Sequence, residues 1–246
     1  MQIDVALLPG QRFDAAHSVC VVVDVLRASS SIVTLLERGA QRVVAAGDIE
    51  EARALSARLP GHVLCGEKDG LPPDGFAYGN SPSEFSRLDF AGRSVILATS
   101  NGTRILSALT DAPALLVGCL LNRTAVANAA AEIARERGLD IAVVCSAAYG
   151  GSTFVLEDAL GAGAIVDAAL RLPEPPRALD AARFARDAFV AAGDTGRAVA
   201  SAYHAKDLVD IGLAEDVAYC GRLDVSAVAP LVERGEDGVL VIKALG

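Results

Sequence analysis

Short, nearly unbroken apolar runs alternate along this chain with longer runs whose apolar positions recur at helical spacing. VCVVVD (19–24) leads into an amphipathic run through Leu36 that stops at Gly39, and RVVAAG (42–47) leads into DIEEARALSARL, where Asp48 can cap a helix carrying acids in its first turn. HVLCGE (62–67) opens a long Gly- and Pro-rich loop. SVILATSNG (94–102) precedes TRILSAL, and ALLVGCLLN (114–122) precedes TAVANAAAEIARERG. DIAVVCSA (140–147) precedes a Gly-rich turn and a helix over about 155–172. Strands read as continuous apolar runs when both sheet faces are covered. The pattern therefore predicts an α/β fold with a largely parallel sheet flanked by helices. After the connector at 173–179, Ala-rich helical stretches run over about 177–192 and 195–212, and DGVLVIKAL reads as a last strand. The expected organisation is a single catalytic unit over 1–246, with the connector as the place where two lobes would part.

Composition narrows the class. The chain has 246 residues, 52% hydrophobic and 22% charged, which suits a globular protein with a substantial core. Aromatics are 4% and Trp is absent, so that core is built from Ala, Val, Leu and Ile. A formal charge of −9 repels phosphate backbones and anionic lipid, which argues against nucleic-acid and membrane partners. An anionic ligand would need local cations. Cys20, Cys65, Cys119 and Cys145 lie in or beside apolar runs, no CxxC pair occurs, and His17, His62 and His204 are far apart, so no structural zinc site is expected. With no apolar run near the ~20 residues of a membrane span and no signal-peptide pattern, a cytoplasmic location is the expectation.

Ligands of open α/β sheets bind outside the carboxyl ends of the strands. Polar residues gather there after nearly every predicted strand: Asp24, Arg27, Ser29 and Ser30 after the first, Glu67 after the third, Thr99 to Thr103 after the fourth, and Gly151, Glu157 and Asp158 after the sixth. If the strands are parallel, these groups share one edge of the sheet. In TSNGT, Asn101, Gly102 and Thr103 have the character of an anion cradle at a helix N-terminus, and read equally well as a helix cap. Asn80 and Ser81 stand at the end of the long loop with the same two readings. Glu157 and Asp158 suit a solvated first helical turn, or a site, since the surrounding VLEDALGAGAIV is otherwise apolar. His204 and Lys206 lie in a late helix, where packing or surface roles are expected. Carboxylates in such a group suit Mg²⁺. No phosphate-binding GxxxxGK[ST], DxDxT, GxSxG or GxGxxG occurs, and Cys20 and Arg27 are spaced wrongly for a cysteine phosphatase loop.

DVLRASSS, the GE of LCGEKDG, GNSP, TSNGT and LEDALGAGAIV occur in this order. Together they make the chain similar to the 2-phosphosulfolactate phosphatases, the ComB family of coenzyme M biosynthesis, from about residue 3 to the end. The resemblance implies a ComB-like phosphatase fold and Mg²⁺-dependent hydrolysis of 2-phospho-3-sulfolactate to sulfolactate and phosphate. Carried onto this chain, it implies Asp24, Arg27 and Glu157 as catalytic, and Ser29, Ser30, Asn80, Ser81, Asn101, Gly102, Thr103 and Gly151 around the substrate. Asp24, Glu67 and Asp158 would hold Mg²⁺, with the choice between Glu157 and Asp158 left open. The alternatives are a Mg²⁺-dependent phosphatase for another small phosphorylated hydroxy acid, or a non-catalytic binder of small anions. The expected partner is a small anionic phosphomonoester. A homo-oligomer is compatible with the sequence, which does not set the assembly state.

Overall fold

The computed structural model describes residues 1–11, 13–99, 102–148, 150–235 and 238–245. Its strands are β1 (Gln2–Ala6), β2 (Ser18–Val23), β3 (Arg42–Ala46), β4 (Val63–Gly66), β5 (Ser94–Ala98), β6 (Ala114–Gly118), β7 (Asp140–Cys145), β8 (Arg177–Ala178), β9 (Pro230–Arg234) and β10 (Leu240–Ala244). The helices are α1 (Ala28–Glu37), α2 (Ile49–Arg58), α3 (Pro82–Phe85), α4 (Gly102–Ala108), α5 (Arg123–Arg137), α6 (Leu156–Ala169), α7 (Asp180–Ala192), α8 (Thr195–Ala200), α9 (Tyr203–Asp210) and α10 (Ala214–Cys220). Local chemistry sets several boundaries. Asp48 accepts the Glu51 N–H at 2.8 Å and starts α2, and Gly138 in the left-handed region ends α5. The predicted helix over 195–212 is instead two, α8 and α9, broken at Ser201–Ala202, and α10 follows as a third. β1 and β9 are strands that the apolar pattern did not announce.

All strands join one sheet in the order β4-β5-β3-β10-β9-β6-β2-β7-β1-β8. The pairings are parallel within β4-β5-β3 and within β6-β2-β7-β1-β8. The β9–β10 hairpin sits between the two sets, and its three joints, to β3, within the hairpin and to β6, are all antiparallel. Three reversals are an odd number, so the two parallel sets run in opposite directions. This corrects the expectation that parallel strands place their polar ends along one edge. The ends meet by another route. Five steps separate β5 from β2, and a usual twist of roughly 20–25° per strand would turn the sheet by about 100–125° between them. One face curls around a core holding Ile32 and Leu35 of α1, Leu106 of α4, and strand residues from both sets. The other face is covered by α5, α6 and α7 over β6, β2, β7 and β1, and by α2 over β3 and β5. Within the 173–179 connector, β8 adds beside β1, and after it α7 packs on α6. Among the described residues no helix is long and apolar enough to cross a membrane.

The α6–α7 contact depends on glycine. A Cβ on Gly163 would lie 2.1 Å from the Ala185 carbonyl oxygen, a main-chain atom that cannot swing aside. Gly163→Ala is therefore expected to cost about 1–3 kcal/mol in chemical denaturation. Gly196→Ala, whose methyl would meet nothing closer than 3.5 Å, is expected to be neutral or stabilising. Equal stability of the two variants would refute the close-packing account.

Candidate active site

The turn after β2 is held by its own side chains. Asp24 is buried; its Oδ1 accepts the Ala28 N–H at 3.0 Å and its Oδ2 accepts the Ser146 hydroxyl at 3.0 Å. Ser29 Oγ accepts the Asp24 N–H at 2.9 Å, and Ser30 Oγ donates to the Val25 carbonyl at 2.8 Å. Those two hydroxyls thus satisfy buried main-chain groups inside the turn and do not line the cavity beside it. Thr103 is turned inward in the same way: its hydroxyl donates to the Thr99 carbonyl at 3.0 Å. Gly102 brings α4 against this turn, since a Cβ there would lie 2.4 Å from Ala28 Cβ and 2.9 Å from Asp24 Oδ2. Asn101, the remaining member of the expected cradle, lies outside the described residues.

A cavity of about 470 Å³ opens beside Asp24. Glu67 and Thr99 reach it from one strand set, Asp24, Arg27 and Ala148 from the other, and His204 from α9. Arg104 of α4, Asn80 and two further acids, Asp69 and Asp207, also line it. Arg27 is buried, donating from Nη1 to Asp216 Oδ2 and from Nη2 to the Gly70 carbonyl, both at 2.8 Å. Asn80 is also buried, and its Oδ1 has no hydrogen-bond partner among the described residues. Ser81 stands one residue further on, caps α3, and donates its hydroxyl to Asp216 Oδ1 at 2.7 Å. Gly151 packs on Pro9, while its neighbour Gly150 reaches the cavity.

Behind Asp24 lie two more buried acids. Asp158 is committed to the backbone: Oδ1 accepts the Val25 N–H at 2.8 Å and Oδ2 the Ala147 N–H at 3.1 Å. It clamps the ends of β2 and β7 and does not line the cavity, unlike the expected metal ligand. Burial pushes its carboxyl well above the usual range, and the neighbouring Asp24 and Glu157 charges add to this. Burial raises Asp24 as well, opposed by the bonds from Ala28 and Ser146. Glu157 is 1% exposed; its Oε1 accepts from His204 Nδ1 at 2.9 Å, and its buried Oε2 has no partner among the described residues. The hydrogen bond to Glu157 raises His204 above its ordinary value, against the burial that would lower it. Packing or a surface position, expected for His204, gives way to a pairing at the cavity between the partly buried imidazole and the buried Glu157.

The residues fit a hard cation in part. Asp24 and Glu67 present carboxylates at one cavity, and acids outnumber unpaired cations in its lining. Among the described residues, however, no three Asp, Glu, His or Cys side chains converge as a metal cage. Mg²⁺ commonly uses one or two carboxylates, completing its shell with water and substrate phosphate, so two donors suffice. Sequence reasoning missed Asp216 and the role of His204. An acid or imidazole in a late helix carries no local sign of burial, because its partners lie far away in the chain.

The family model described as 2-phosphosulpholactate phosphatase matches residues 6–235. Similar proteins named "Probable 2-phosphosulfolactate phosphatase" occur in Deinococcus radiodurans, at 37% identity covering 96% of this chain and 95% of the relative, and in Carboxydothermus hydrogenoformans, at 32% identity covering 99% and 98%. A third, from Pseudothermotoga lettingae, is 37% identical, covering 93% of this chain and 95% of its own.

The His204–Glu157 pair has a pH signature. A histidine whose folded value is raised stabilises the fold fully below its unfolded value, about 6.5, and that stability fades as pH climbs through the folded value. The difference in urea midpoint between the natural protein and His204→Gln is therefore expected to be larger at pH 6 than at pH 9. A difference independent of pH would contradict the pairing.

Proposed function

Because the chain belongs to the 2-phosphosulpholactate phosphatase family, we propose that it hydrolyses 2-phospho-3-sulfolactate to 3-sulfolactate and phosphate, with Mg²⁺ held by Asp24 and Glu67. The observation that carries this reading is the cavity in which the buried Asp24 carboxylate faces the same space as Arg27, Arg104 and His204. When bound there, the metal would polarise the phosphoryl oxygens.

The chain's own groups have separable tasks. Arg27 and Arg104 offer planar guanidinium forks, which suit paired oxygens of phosphate, carboxylate and sulfonate. Asn80 lines the cavity, and its side-chain NH₂ is the group able to donate to the oxygens of an anionic ligand. Water attack at phosphorus breaks the bond to the C2 oxygen, which must take up a proton as it leaves. With His204 Nδ1 committed to Glu157, Nε2 is the ring atom left to supply that proton. The buried Glu157 then holds the ring in one tautomer and orientation, as second carboxylates do for catalytic histidines. Asp158, clamped to backbone N–H groups, keeps the β2 and β7 turns in register beside the reacting atoms.

The test is a phosphate-release assay over small phosphomonoesters, with Mg²⁺ and with EDTA. Release is expected to be fastest with 2-phospho-3-sulfolactate and to stop in EDTA. Faster turnover of another phosphorylated hydroxy acid would reassign the substrate, and activity untouched by EDTA would refute the metal. Asp24→Asn is expected to lower kcat by about 100-fold or more, the scale of a few kcal/mol in the transition state, with the fold checked by circular dichroism.

A further inference from the structure

Asp216 lies in α10, far along the chain from Arg27 and Asn80, and is 1% exposed. Its two oxygens have different duties. Oδ2 accepts Arg27 Nη1 at 2.8 Å; Oδ1 accepts the Ser81 hydroxyl at 2.7 Å and the Ser83 N–H at 3.0 Å. One carboxylate therefore joins three segments: the turn after β2, the turn that starts α3, and α10. Asn80 directly precedes Ser81, and both Asn80 and Arg27 line the cavity. The spacing of these two groups is set through Asp216.

We propose that Asp216 is a positioning residue that fixes Arg27 and Asn80 at the separation needed to hold an anionic phosphoester. This rests on reading the cavity as a phosphomonoester site. Only an acid of this length meets all three demands. An asparagine has one acceptor oxygen and an NH₂ group, so it cannot accept from both Arg27 and the Ser83 N–H. The bond to Ser81 also explains how a residue outside the cavity lining acts on it. The cap of α3 and the guanidinium move together or not at all.

The experiment measures inorganic phosphate binding by calorimetry in Mg²⁺ buffer, alongside kcat and KM for a hydrolysed phosphomonoester. Asp216→Asn is expected to weaken phosphate binding and lower kcat/KM by about 10- to 100-fold, the scale of a small misplacement of a binding group. In an Arg27→Ala background the same change should add little, because the group being positioned is gone. Ser81→Ala, which removes one of the three bonds, should give a smaller loss in the same direction and keeps the idea testable if Asp216→Asn does not fold. Unchanged affinity in a folded Asp216→Asn or Ser81→Ala protein would overturn the proposal. So would an undiminished Asp216→Asn effect without Arg27. If no phosphomonoester is hydrolysed but phosphate affinity still depends on Asp216 through Arg27, the catalytic reading fails and the positioning role stands.

Discussion

Carboxylates buried at the ends of the strands are the constraint on which the rest of this protein depends. Asp24, Glu157, Asp158 and Asp216 are all shielded from water, and a buried charge is tolerated only when donors surround it. Three of them recruit a different piece of chain, although one oxygen of Glu157 stays unpaired among the described residues. Asp158 takes main-chain N–H groups from the turns after β2 and β7. Glu157 takes the imidazole of α9, and Asp216 takes the guanidinium of Arg27 together with the start of α3. The acids thus act as cross-links that draw the C-terminal helices onto the sheet and close the cavity.

The sheet makes that gathering possible by an indirect route. Two parallel sets of opposite direction, spliced by an antiparallel hairpin, would carry their polar ends apart if the sheet were flat. Strand twist accumulates over the intervening strands, and the curled face closes around α1 and α4. Glycines at the tightest approaches, Gly102 against Asp24 and Gly163 against α7, let main chain come near enough for polar contacts to form.

The electrostatics of the cavity bear on function. Arg27 is largely neutralised by Asp216, and the remaining lining holds more acids than free cations. A substrate carrying phosphate, carboxylate and sulfonate would be repelled by such a lining alone. A divalent cation relieves that repulsion, which is why the proposed Mg²⁺ and the proposed substrate stand together. Because Asp216 offsets the charge of Arg27, that side chain contributes direction more than net charge.

The alternation of apolar runs was enough to read the α/β class and most of β2 to β7, because central strands covered on both faces must be continuously apolar. The motif order was enough to identify the family, and Asp24, Arg27, Glu67 and Asn80 were legible as residues placed just past strands or at a loop's end. Tertiary structure alone decided what their neighbours do. It turned Ser29, Ser30 and Thr103 inward to satisfy main chain, put Asp158 behind the cavity as a clamp, and brought His204 and Asp216 in from the last helices. The reason is physical. Periodicity records which side of an element is buried, whereas the partner of a buried polar group is chosen by contacts between residues distant in the chain, and no local pattern records those.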